Sequence, residues 1–313
     1  MRIFVAGTTG AIGARLVPVL ASAGHDVVAL TRSPDKVEDL RALGATAAVA
    51  DAFDRRAVVE TVVEARPEVI VHQLTALSGK ADMKHFDRYF AATNRLRTEG
   101  TDHLMEAARA SGTRRVVAQS FGNWNYERTG TGPKTEEDPL DPNPPANQRQ
   151  SLRAIRYVEH AVIGAEGIEG IALRYGNFYG PGTGFAPDGN LFELIRKRRL
   201  PIVGDGAGVW SFIHTDDAAR ATLAAIEGGN PGAYNVVDDE PAPVAVWLSE
   251  LARVLGAKPP LRVPVWFGRL AVGEVGVSMM TRIRGASNAK AKRELGWQPH
   301  YRSWRDGFRT ALG

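Results

Sequence analysis

The 313-residue chain contains no cysteine. That excludes a disulfide-stapled scaffold, a thiolate metal site and a thiol nucleophile. It also lacks an excess of one charge: 39 Lys+Arg stand against 35 Asp+Glu, and the net +4 is spread along the chain. So small an excess gives no footprint for DNA or RNA. The one basic run, Arg196-Lys197-Arg198-Arg199, reads as cations at a helix end, where the dipole favours them. The seven histidines include no HxxxH or HExxH spacing, so no metal site is expected. No apolar run reaches the roughly 18–20 residues that span a bilayer. Met1-Arg2 passes directly into Ile3-Phe4-Val5 and a glycine turn, which leaves no room for a secretory leader. The expectation is a soluble cytoplasmic protein whose partner is a small molecule, not a nucleic acid or a membrane.

What is present is an alternation of short apolar runs with helix-period stretches, the pattern of a parallel sheet wrapped by helices. Candidate strands are Arg2–Ala6, Asp26–Thr31, Thr46–Ala50, Val69–Gln73 and Arg115–Gln119, with amphipathic segments at Ile12–Ala23, Pro34–Leu43, Arg55–Ala65 and Phe86–Ala110. Residues 128–150 then carry five prolines and little that is apolar, which predicts a surface loop followed by a helix from about Ser151 to Gly164. A strand at Gly170–Arg174 precedes a second irregular stretch, Tyr179–Asn190. Shorter helices follow at Leu191–Arg198, Asp216–Glu227, Val244–Leu255 and Asn288–Leu295, with strands near Leu200–Val203 and Ala233–Val237. The fold class is α/β, a Rossmann-type doubly wound parallel sheet with a smaller C-terminal substrate-binding lobe. Residues 1–174 form the cofactor domain, to which some later segments return, and 175–313 are mainly the second lobe.

Gly7-Thr8-Thr9-Gly10-Ala11-Ile12-Gly13 lies between the first strand and the first helix. Glycines at this spacing permit a tight turn, close approach of a pyrophosphate to backbone, and close helix–sheet packing, with the anion at the helix N-terminus. The second strand ends Thr31-Arg32-Ser33, without the carboxylate an NAD-selective site uses on the ribose. A guanidinium and a hydroxyl suit a 2′-phosphate, so NADP(H) is expected over NAD(H).

The chain resembles the extended short-chain dehydrogenase/reductase superfamily, in its NAD(P)-dependent epimerase/dehydratase group. The matching pieces are GTTGAIG at 7–13, Asp51-Ala52, VHQLTA at 71–76, Asn94, KTEEDPLDP at 134–142, LRYGNFYGPG at 173–182, FIHTDDAARA at 212–221, YNVVDDE at 234–240 and KAKRELGWQP at 290–299. The resemblance implies cofactor contacts from Thr9, Gly10, Ala11 and Ile12 in the turn. It implies that Asp51 and Ala52 line an adenine pocket and that Leu74, Thr75 and Ala76 lie along the diphosphate and ribose. Asn94, Gln119, Tyr175, Asn177 and Phe178 are expected on the cofactor too, the last three at its nicotinamide end. It also implies a homodimer through the helices near 92–110 and 151–164.

The group's chemistry rests on a Ser/Thr after the fifth strand and on Tyr-x-x-x-Lys in the following helix. No Tyr-x-x-x-Lys occurs in this chain. Matching Glu159 to the group's carboxylate puts Ile155 in the Lys slot and Ser151 in the Tyr slot, while Phe121 occupies the Ser/Thr slot. Serine is far too weak an acid to replace a phenol of pKa about 10. Ser120 and Tyr126 are the remaining catalytic candidates: a carbonyl-orienting hydroxyl, and a phenol in the loop after the strand that otherwise packs there. Sugar-nucleotide members carry an Arg where this chain has Trp210. With Phe121, Trp124 and Phe185, Trp210 is expected to line an apolar substrate pocket, unless it is a core aromatic of the second lobe. The expected function is an NADP(H)-dependent oxidoreductase on a small apolar or aromatic carbonyl or alcohol, with a non-standard proton donor. The alternatives are a non-catalytic NAD(P)-binding sensor and an NAD-dependent sugar-nucleotide epimerase or dehydratase.

Overall fold

In the computed structural model, which describes residues 1–77 and 82–310, seven apolar segments form one sheet. They are β1 (Arg2–Ala6), β2 (Asp26–Thr31), β3 (Ala45–Val49), β4 (Val69–His72), β5 (Arg115–Phe121), β6 (Glu169–Tyr175) and β7 (Gly232–Val236). Their order across the sheet is β7-β6-β5-β4-β1-β2-β3, and every neighbouring pair is parallel. The order reverses between β1 and β4, where Ile3 pairs with Val27 on one side and Val69 on the other. Ligands of such sheets bind in the crevice outside the carboxyl ends of the strands at that point.

Alternation along the strands feeds two cores. Ile3, Val5, Val117 and Leu173 pack beneath the helices Gly13–Ser22 and Thr215–Glu227. Phe4, Ala6, Val116 and Ala118 face Arg55–Ala65, Thr101–Ser111 and Arg149–Ile163. A third core lies beyond the sheet, where Tyr179, Phe192, Phe212, Trp247, Trp304 and Phe308 pack together. Two short strands, Asn177–Tyr179 and Phe212–His214, pair in parallel at its border. The Arg115 guanidinium joins the first half to the second: it donates to the carbonyls of Ala225 (2.8 Å), Gly228 and Gly229 (3.1 Å) at the end of the Thr215–Glu227 helix. At that helix's other end His214 is the cap, its Nδ1 accepting from the Asp216 N–H at 3.1 Å. Sequence alone favours the neighbouring Thr215 or Asp216, because hydroxyls and carboxylates are the common caps.

The predicted Phe86–Ala110 helix is broken into Phe86–Tyr89, Ala91–Arg95, a π-helical turn at Leu96–Gly100, and Thr101–Ser111. Two helices were not foreseen, Val265–Thr281 and Trp304–Thr310. The first is apolar nearly all round, so it carries no 3.6-residue stripe, and it kinks at Gly273, whose φ is 70°. No helix among the described residues is long and apolar enough to cross a membrane.

Candidate functional site

The glycine turn is shaped by close approach. Gly7 has φ 102°, and a Cβ there would lie 2.4 Å from the Gln73 carbonyl oxygen; one on Gly13 would lie 2.2 Å from that of Gly7. Only glycine fits both places. The Thr8 hydroxyl ties the turn to β2 through the Leu30 carbonyl at 3.0 Å. Thr9 and Gly10 are exposed and Ala11 half-buried. The N–H groups of Ala11 and Ile12 have no acceptor among the described residues, and they precede a helix N-terminus. That is an anion cradle.

At the end of β2 the Thr31 hydroxyl accepts the Ser33 N–H at 3.1 Å. Arg32 between them is exposed and bonds to nothing among the described residues. Beyond β3, Asp51 Oδ1 accepts the Phe53 N–H at 2.9 Å, and the Ala52 carbonyl accepts from His103 Nδ1 at 2.9 Å. The Arg95 guanidinium lies 4.3 Å from the Phe53 ring centroid. This ring and cation beside Asp51-Ala52 were missed in the sequence; adjacency to that pair was the available signal. After β4, Leu74, Thr75 and Ala76 run along the crevice, Ala76 N–H held by the Thr93 hydroxyl at 3.1 Å. Burial lowers the His72 imidazole to about 4, and its Nε2 meets the Thr101 hydroxyl at 3.1 Å. It is a neutral core residue.

Both catalytic candidates prove to be framework. Ser120 is fully buried and donates to Glu159 Oε1 at 2.5 Å. Glu159 holds Arg174 through two bonds of 2.8 and 2.7 Å. Arg174 donates to the Tyr126 hydroxyl at 2.9 Å, which in turn donates to Asn235 Oδ1 at 2.6 Å. Tyr126 is 1% exposed, and burial pushes its phenol up to about 12. Neither hydroxyl reaches an open surface. The reason is strand alternation: Ser120 points to the Arg149–Ile163 helix, where Glu159 receives it, while the half-buried Gln119 and Phe121 alternate with it along β5.

Two further expectations are corrected. Tyr175 is fully buried, its hydroxyl between Gln73 Nε2 (3.0 Å) and Thr222 Oγ1 (2.6 Å). Its ring and hydroxyl are thus enclosed by protein. Half-buried Phe178 packs against it at 5.3 Å, and Asn177 Nδ2 bonds the Ser211 carbonyl at 3.2 Å. Phe185 sits in the third core, 5.8 Å from both Phe212 and Trp247, so it lines no substrate pocket.

Ile155 and Phe121 belong to one apolar wall. Ile155 is fully buried with Phe86, Trp124, Leu152, Val275 and Met279, and partly buried Phe90, Phe121 and Trp210 pack against that cluster. Trp124 meets Phe86 edge-on at 5.1 Å and Phe121 at 5.7 Å. The Trp210 indole N–H is occupied by the Met279 carbonyl at 2.9 Å. Ser151 bonds Asp87 and Asn94. Gln73 Oε1 and Asn94 Oδ1 are buried without partners among the described residues. Burial lowers the Arg97 guanidinium to about 10, against the pull of the Glu159 carboxylate. The glycine cradle, the exposed Arg32 and these orphan acceptors fit an anionic dinucleotide. No group of three or more potential metal ligands is found among the described residues.

Comparison with known proteins agrees with this geometry. A 3-diazoavenalumate denitrifying reductase from a Streptomyces species is 45% identical over 98% of this chain and 99% of its own length. A UDP-glucose 4-epimerase from Mycolicibacterium smegmatis is 29% identical over 96% of this chain and 94% of its own. Among solved structures, the UDP-glucose 4-epimerase of Thermotoga maritima with UDP-glucose superposes with a TM-score of 0.76, at 24% identity, over 100% of this chain and 97% of that one. The pattern of the NAD dependent epimerase/dehydratase family matches residues 3–236. This chain, whose sheet order and glycine cradle are those of a dinucleotide-binding fold, belongs to that family.

Proposed function

We propose that the protein is an NADP(H)-dependent reductase that replaces the diazo group of an aromatic compound by hydrogen, releasing N2. The feature that carries this reading lies at the end of the crevice that the family resemblance assigns to the nicotinamide: Phe121, Ser151 and Ile155 stand where it expects Ser/Thr, Tyr and Lys, and the described residues offer no phenol and ammonium pair there. Carbonyl reduction needs a proton on oxygen as well as a hydride on carbon. Replacement of N2 at an arenediazonium carbon does not: one C–H bond forms, the C–N bond breaks, its electron pair leaves with N2, and no proton is consumed. The 45%-identical relative named as a denitrifying reductase of a diazo compound supports the same chemistry.

A reduced nicotinamide, when bound, supplies the hydride. The chain's residues hold and select. Ala11 and Ile12 N–H groups would hold the pyrophosphate, and Arg32 the 2′-phosphate that distinguishes NADP(H). Phe90, Phe121 and Trp210 offer aromatic faces for an arene, backed by the buried Trp124. Trp210 also disfavours a sugar nucleotide, because an indole already bonded to Met279 cannot clamp a diphosphate as a guanidinium fork does.

The experiment is turnover of a hydroxybenzenediazonium salt with NADPH carrying deuterium at the transferable position. Release of N2 with deuterium at the former C–N carbon is expected. Turnover of ketones or UDP-sugars, with none on the diazonium, would overturn the proposal.

A further inference from the structure

Asp87 accepts three hydrogen bonds at the start of the Arg149–Ile163 helix: the Gln150 N–H at 3.0 Å, the Ser151 N–H at 2.8 Å and the Ser151 hydroxyl at 2.7 Å. A carboxylate only accepts. The single O–H of Ser151 is therefore committed to Asp87, and its oxygen is left to accept. Asn94 meets that oxygen with its Nδ2, at 3.0 Å. This orients the amide: Oδ1 turns away from Ser151, and it is buried with no partner among the described residues. An unmatched buried acceptor is costly unless something donates to it.

We infer that Asp87, acting through Ser151, fixes Asn94 Oδ1 as the acceptor for a hydroxyl of a bound ligand. The inference rests on reading this end of the crevice as the nicotinamide end. Asp87 is a positioning residue here, and Asn94 the contact. The polarity is opposite to that of a phenol and an ammonium, which donate; this chain of bonds offers only a lone pair. Two hydroxyls have the required chemistry: one on the nicotinamide ribose, and the phenol of an aromatic substrate.

The test is calorimetric titration of the full chain and its variants with four probes: NADP+, adenosine 2′,5′-bisphosphate, 4-hydroxycinnamate and 4-methoxycinnamate. Asn94→Ala is expected to weaken one hydroxyl-bearing ligand by roughly 3- to 10-fold, the loss of one hydrogen bond. A loss for NADP+ but not for adenosine 2′,5′-bisphosphate assigns the ribose; a loss for 4-hydroxycinnamate but not for its methyl ether assigns the phenol. Asp87→Ala is expected to reproduce the loss in the parent chain and to add nothing in Asn94→Ala, because both act on one bond. A helix cap without this role would lower the melting temperature in both backgrounds and leave ligand affinity independent of Asn94. If Asp87→Ala does not fold, Ser151→Ala takes its place in the cycle. Unchanged affinity for both hydroxyl-bearing ligands in Asn94→Ala, or losses that simply add, would overturn the inference. Failure of diazonium turnover with this pattern of affinities intact would instead overturn the reaction proposed above.

Discussion

The Ser120 hydroxyl donates to Glu159 Oε1 across 2.5 Å of buried space, and the same carboxylate carries Arg174 on both its oxygens. A serine at the end of the fifth strand thus belongs to an ion-pair network, not to the crevice. Glu159 and Arg174 are each only 8% exposed at the side chain. Removing one partner of such a pair leaves an uncompensated buried charge, at a cost of about 3–5 kcal/mol. Glu159→Ala should therefore unfold at markedly lower denaturant concentration than the parent. A chain of unchanged stability would show that the pair is not formed.

Tyr126→Phe separates framework from catalysis. The variant leaves Arg174 and Asn235 each short of one partner, a loss of about 1–3 kcal/mol. The melting temperature should fall by several degrees while kcat stays within about threefold. A drop in kcat of roughly 100-fold at unchanged stability, typical of a lost general acid, would restore Tyr126 to the reaction.

Arg32→Ala should weaken NADP+ binding by about 10- to 100-fold, the scale of hydrogen bonds to a charged group, and leave NAD+ unaffected. Parallel titrations with the two cofactors read this directly. Equal losses for both would mean that Arg32 does not meet the 2′-phosphate.

Stability should depend on pH through His72. Its folded value of about 4 lies below the unfolded value near 6.5, so the unfolded chain binds the extra proton first. The contribution of the neutral ring is complete above pH 6.5, and it is lost as pH falls from there towards 4, by up to about 3 kcal/mol. His72→Gln, which retains a partner for Thr101, should flatten the melting-temperature profile over that window. A profile identical to the parent's would place the acid sensitivity elsewhere.

Phe121→Ala and Phe90→Ala should each raise KM for an aromatic substrate about 10-fold with little change in kcat, the stacking and area of one ring face being lost. Steady-state kinetics on both variants decide it, since a pure kcat effect would remove these rings from the binding wall.

The sheet was legible because its strands are apolar on both faces and its helices are amphipathic. The glycine turn was legible because backbone crowding at Gly7 and Gly13 admits no side chain. Ends shifted by a residue or two, as for β3 and β7. The Val265–Thr281 helix was hidden by its lack of polar periodicity, and the π turn at Leu96–Gly100 by the fact that a hydrophobic pattern reports faces, not hydrogen-bond register. At the site, the glycine turn and the absence of any Tyr-x-x-x-Lys string could be read directly. The orientation of Ser120, Tyr126 and Phe185 could not, because it depends on pairings such as Glu159–Arg174 and on a third core assembled from residues far apart in sequence.

The place of β7 in the sheet governs the order in which the protein can be completed. β6 pairs with β5 on one side and with β7 on the other, and β7 begins only at Gly232. A nascent chain that has emerged through residue 174 therefore presents the whole outer edge of an apolar strand, a template for pairing with another chain. The first half is therefore expected not to fold as a detachable module. During synthesis its exposed strand must be shielded until about three-quarters of the polypeptide has left the ribosome, and a fragment ending at residue 174 should aggregate where the full chain does not.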